Sequence, residues 1–220
     1  MKKASSMIEL VIAIVVMGIA VMTLPLMLER NQENNAFAMQ QETILAARTE
    51  IGDILTYPWD ENSIKDNVVG VVDVVNGDSE LDRNTTQRRI GHIRQDKRRK
   101  LFSDETNASL TSTFDYTADG DIIPDDIDDF NGDKSYDSIT SSLSYRFKFD
   151  INTTVAYVSD TTNYTLNNIN FNFNTNTANL STNIKMIELN VSNTENSITP
   201  FTLRAYSANI GGNQLLRRDW

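Results

Sequence analysis

The chain has 220 residues, 40% hydrophobic and 23% charged, which suits one globular domain plus an appendage rather than two large domains. Without cysteine it has no disulfide framework, thiolate metal site or cysteine nucleophile, and a single histidine, His92, excludes a multi-histidine zinc site. Twenty Lys and Arg against thirty Asp and Glu leave a net charge of -10, which argues against a general nucleic-acid binder.

The first element is a membrane span. Leu10 to Leu28 reads LVIAIVVMGIAVMTLPLML, without a charge. At ~1.5 Å per residue it covers about 28 Å, close to the thickness of a hydrocarbon core. Lys2 and Lys3 precede it, so the rule that positive charge stays inside places the N-terminus in the cytoplasm and the chain beyond Arg30 across the membrane. A secretory signal would carry a small-x-small cleavage site after its apolar run, but Thr23-Leu24-Pro25-Leu26-Met27 is bulky there. Removal after the span is therefore not expected. Glu9 is a carboxylate at the edge of this helix, costly unless it is paired or lies among headgroups.

Lys2-Lys3-Ala4-Ser5-Ser6-Met7-Ile8-Glu9-Leu10 resembles the class III leader and mature start of type IV pilins and type II secretion pseudopilins. The resemblance covers residues 2 to 28. It implies cleavage by a prepilin peptidase between Ala4 and Ser5 and methylation of the new N-terminus. Glu9 then matches the fifth mature residue, Gly18 the mid-helix glycine, and Pro25 lies within one position of the helix-kinking proline. Ala4 replaces the usual glycine before the cut, and Ser5 the usual Phe, Met or Leu after it. The implied role is a minor structural subunit of a pilus or pseudopilus. Its partners would be other pilin-like subunits, the peptidase, the assembly platform and the inner membrane, with the C-terminal domain in the periplasm. The Ser5 amine of one subunit, neutralised by Glu9 of a neighbour, would set axial register, because a register error leaves both ions unpaired. The competing reading is a monomeric membrane-anchored module that binds a ligand or envelope partner.

The helix is expected to continue over 30 to 58. Phe37, Ile44 and Ile51 recur every seven residues, with Leu45, Ala47, Ile54 and Leu55 widening the stripe. Pro58 ends it, since it disfavours helix at Tyr57 and breaks the hydrogen-bond ladder. Packing on a small sheet fits this short, alanine-diluted stripe better than a coiled coil.

Residues 59 to 140 read as variable loops. Val68 to Val75 suit a strand ended by the turn signal Asn76-Gly77. Arg83 to Lys100 then gathers eight basic residues against Asp96 alone. A solvated loop face is the first reading, docking on an acidic neighbouring subunit the second and nucleic acid a distant third. Aromatic stacking residues are absent from that window. The next segment is acidic. Asp119, Asp121, Asp125, Asp126, Asp128 and Asp129 crowd around Gly120, Pro124 and Gly132, and short oxygen-bearing side chains in such a loop suit Ca2+. The spacing does not match an EF-hand; a plain solvated acidic loop is the first competing reading, and a face for a basic partner the last.

Period-two alternation governs 141 to 220. Leu143, Tyr145, Phe147, Phe149 and Ile151 alternate with polar residues, as do Ile169, Phe171 and Phe173, then Ile187, Leu189 and Val191, then Phe201, Leu203 and Ala205. Val155 and Tyr157 suggest a shorter strand. The fold class is α+β: a long N-terminal helix, membrane-spanning over 5 to 29, packed by its second half on an antiparallel sheet. A nucleophile elbow, Walker loop, dinucleotide fingerprint and zinc motif are all missing, and no enzyme activity is expected.

Overall fold

In the computed structural model the described residues are 2–65, 68–76, 100–101, 106–120, 123–136, 149–159, 166–168, 170, 174–192 and 199–211. Helix α1 runs unbroken from Lys2 to Ile54, 53 residues, with Pro25 inside it. At ~1.5 Å per residue that is about 80 Å, far more than a bilayer core needs. Every residue from Met7 to Ala38 is exposed. The stretch is long and apolar enough to cross a membrane, and none of its most apolar window is covered by the rest of the chain. The sheet takes over only near the C-terminal end of the helix.

Four antiparallel strands form the main sheet in the order β4 (Gly132–Tyr136), β5 (Phe149–Tyr157), β6 (Ile184–Ser192), β7 (Phe201–Ala208). Alternation decides which face is buried. Phe149, Ile151, Val155 and Tyr157 on β5 lie on the same face as Ile187, Leu189 and Val191 on β6. The register places Ile151 opposite Val191, Val155 opposite Ile187 and Tyr157 opposite Lys185. Helix α1 covers this face with Ala47 and Ile54, flanked by Met39, Ala46 and Ile51. A long N-terminal helix thus packs on a C-terminal antiparallel sheet.

The helix meets the sheet on a side adjacent to the expected stripe. Thr43 and Glu50 are buried with Ala47 and Ile54, whereas Phe37 and Leu45 stay 65% and 66% exposed. Thr43 can be buried because its hydroxyl donates to the carbonyl of Met39, 2.7 Å away. Regular helix stops at Ile54, three residues before Tyr57, and the last turn closes through Leu55, Thr56 and Tyr57 N–H groups donating to the carbonyls of residues 51, 53 and 54.

The described residues between the helix and the main sheet include short regular elements. Strands β1 (Ile64–Lys65), β2 (Val68–Val71) and β3 (Lys100–Leu101) make a small second sheet, with β2 shorter than the Val68–Val75 expectation. Asn209, just after β7, clamps the chain beyond β2. Its side chain accepts from Val72 N at 3.1 Å and donates to Val72 O at 2.7 Å, as a neighbouring strand would. Gly211 then crosses β2 so closely that a Cβ there would lie 3.2 Å from the Gly70 carbonyl carbon, and its φ of +67° favours glycine for a second reason. A short helix α2 (Tyr116–Asp119) and a 3-10 turn at Asp128–Phe130 lead into β4. The basic residues 83–99, His92 among them, fall outside the described residues, as do Leu143, Tyr145 and Phe147 and the 169, 171 and 173 positions.

Candidate functional site

Among the described residues, two places carry unusual chemistry. The first is the uncovered half of α1. Glu9 sits there on an apolar surface whose large side chains from Met7 to Leu28 are all at least half exposed. Gly18 has open space where a Cβ would stand, and Pro25 is accommodated without ending the helix. Ala4 and Ser5 lie in the first turns of the same helix. Glu9, Gly18 and Pro25 therefore share one exposed stretch of helix, with none of its most apolar window covered by the rest of the chain.

The second place lies where the helix ends against the sheet. The chain leaves α1 through Tyr57-Pro58-Trp59-Asp60, and each residue is anchored. The Tyr57 ring meets Phe130 edge-on at 4.8 Å, the Pro58 carbonyl accepts from Ile127 N, and Trp59 Nε1 donates to the Ser207 carbonyl at 3.2 Å. Asp60 is wholly buried. Its Oδ1 accepts from Asn62 N and the Ser109 hydroxyl, and its Oδ2 from Ser109 N.

Lys185 enters this pocket from β6. Its side chain is fully buried, and Nζ donates to Asp128 Oδ1 at 2.6 Å, to the Trp59 carbonyl at 2.7 Å and to Asp60 Oδ2 at 3.1 Å. The rings of Trp59, Phe114 and Tyr157 surround the same nitrogen at 4.4 to 5.4 Å. Tyr157 donates its hydroxyl to the Ser109 carbonyl at 2.7 Å. Burial, followed by the nearby carboxylates, holds that phenol far above its ordinary range.

The acidic segment is built around this lysine. Asp126 Oδ1 accepts from Asp128 N and Asp129 N, while its Oδ2 accepts from Glu61 N. Asp129 Oδ2 accepts from the N–H groups of Asp125 and Asp126. Burial, then a hydrogen bond to Asp128, pushes the Asp126 carboxyl up to about 8. Burial is also the main cause that raises Asp128, against the pull of Lys185.

The carboxylates expected to converge on calcium are therefore divided. Asp126, Asp128 and Asp129 point inward to N–H groups and Lys185, and Asp125 is exposed. Asp119 ends α2, and Asp121 lies outside the described residues. Among the described residues no group of three or more acidic or histidine side chains is placed to hold a metal ion. Of the inward groups, Asp126 and Asp129 accept from backbone N–H groups and Asp128 from Lys185, so these contacts serve the loop's own hydrogen bonding.

Sequence reasoning missed Lys185. The signal was present: Lys185 has the same parity as Ile187, Leu189 and Val191, so period two puts it on the buried face. A lysine there needs a buried anion, and the nearest acidic run in sequence terms is the 119–129 segment. Compared with protein-family models, characterised proteins and solved structures, the chain matches none.

Proposed function

We propose that the chain is a minor structural subunit of a type IV pilus or type II secretion pseudopilus, cut between Ala4 and Ser5 and stored in the inner membrane with its domain in the periplasm. The carrying observation is the continuous helix whose first half is apolar, uncovered and carries Glu9, while only its last turns are bound to the sheet. Such a rod is stable in two settings, a bilayer or a bundle of like rods, and a pilin-like subunit passes from one to the other. Glu9 is inexpensive near headgroups and becomes useful in the bundle, where it neutralises the N-terminal amine of a neighbour. Nothing in this role requires catalysis.

Cleavage is the decisive test. The protein purified from cells that contain a prepilin peptidase should begin at Ser5 and carry one methyl group, as read by intact mass and N-terminal fragmentation. Retention of Met1 to Ala4 would sink the proposal. It would favour a monomeric anchored binding module, a reading supported by the way one chain completes its own core around Ile54, Ile187 and Leu189.

A further inference from the structure

The geometry points to an intramolecular amide bond between Lys185 Nζ and the side-chain carboxyl carbon of Asp128, a covalent staple from the central strand β6 to the acidic loop. The two groups touch at 2.6 Å, and their side chains are 0% and 5% exposed. Fixed contact of an amine and a carboxyl group replaces a bimolecular encounter with an intramolecular one. Three aromatic rings exclude water from the nitrogen, and water is the product that must leave. This inference stands apart from the assembly reading, because it concerns only the folded domain.

The step balances without any other reactant. One proton passes from the Lys185 ammonium to the Asp128 carboxylate across their 2.6 Å contact, leaving an amine and a carboxylic acid side by side. Nζ then attacks the Asp128 carboxyl carbon, forming the N–C bond. A second proton leaves the nitrogen for Asp60 Oδ2, 3.1 Å from Nζ, and is passed to the departing hydroxyl. The C–O bond breaks and one water is released. The remaining N–H can still donate to the Trp59 carbonyl, now 2.7 Å from Nζ.

Asp128 rather than Asp60 is the acylating partner. It is the closer of the two, and its carboxyl shares a hydrogen bond with Asp126. Asp60 is committed to Asn62 and Ser109 and stays satisfied once the lysine charge is gone. The staple would close a span of 57 residues in a chain that has no cysteine to cross-link.

Mass spectrometry of the full chain, purified in detergent and then digested, tests this. The expected result is an intact mass lower by one water than the observed N-terminus requires, with a branched peptide whose fragments join Lys185 to Asp128. Lys185→Arg keeps the charge but should give only linear peptides. If that variant does not accumulate, the wild-type digest decides alone. Linear peptides carrying unmodified Lys185 and Asp128 as the dominant species would overturn the inference. A branch at Asp60, or a water loss confined to one segment, would overturn it equally.

Discussion

Until the proposed amide closes, Lys185 places a positive charge among Asp60, Asp126 and Asp128, all of them buried. Burying charges is costly, and removing one partner leaves the others uncompensated. Lys185→Met should therefore cost about 3–5 kcal/mol of domain stability, read by urea unfolding of the detergent-solubilised chain. A loss below ~1 kcal/mol would mean that the carboxyl groups are neutral without the lysine. Asp126 gives the complementary pH test. Its carboxyl rises from 3.8 to about 8 on folding, with burial the largest cause and the hydrogen bond and charge of Asp128 next. The folded chain thus holds that proton more tightly than the unfolded chain. Its contribution is full below pH 3.8 and is lost as pH climbs toward about 8. Melting temperature should fall between pH 5 and pH 9, by about 2–4 °C for each ~1 kcal/mol lost, and Asp126→Asn should flatten that slope. An unchanged slope in the variant would remove Asp126 from the linkage. Parity alone put Lys185 on the buried face. Its partners were not legible, because Asp60 and Asp128 reach it from 125 and 57 residues away, and no local pattern encodes such a meeting.

Helix α1 shows how a correct element can carry a misplaced face. Its existence and length were readable from apolar content and local chemistry, though regular helix ends at Ile54 rather than at Tyr57 before Pro58. Its docking side was not, because Thr43 and Glu50 occupy core positions while Phe37 and Leu45 face outward. Hydropathy assigns polar residues to solvent, and only the back-bonded hydroxyl of Thr43 shows why it can be inside. Ile54 is the anchor, fully buried in the cluster with Trp59 and Leu189. Ile54→Ala should cost about 2–5 kcal/mol, whereas Leu45→Ala, on the exposed side, should change stability by less than ~0.5 kcal/mol. Equal effects would mean that the helix docks by another face. The strands split similarly. Period two found β6 and β7 and both halves of β5, but divided β5 in two where Asn152, Thr153 and Thr154 interrupt the apolar sequence. Strand β4 gave no sequence signal, since Gly132-Asp133-Lys134-Ser135-Tyr136 lacks alternation and is held by pairing with β5. In the first half of the helix, Glu9→Val should leave membrane insertion intact and lower assembly, measured as the fraction recovered in sheared filaments. Wild-type recovery would sever Glu9 from assembly.

At the scale of the whole molecule the chain divides into a rod that seeks apolar surroundings and a domain that does not need the rod. The residues that α1 contributes to the core begin at Met39, and everything from Met7 to Ala38 lies outside it. Among the described residues, removing 1–29 therefore deletes no core contact and no hydrogen bond to the sheet. Gln40, which accepts from Thr199 N at 3.1 Å, is retained, as are Thr43, Ala47 and Ile54. The deletion also removes the large exposed apolar surface that would drive association in water. The chain 30–220 should be soluble and monomeric without detergent. Its melting temperature should lie within about 2 °C of the full chain's, because a change under ~1 kcal/mol is all that loss of an unattached segment permits. The full chain should aggregate unless detergent or lipid covers the rod. Light scattering and circular dichroism read both outcomes. Aggregation of 30–220, or loss of its strand signal, would show that the first half of α1 supports the fold as well as anchoring it.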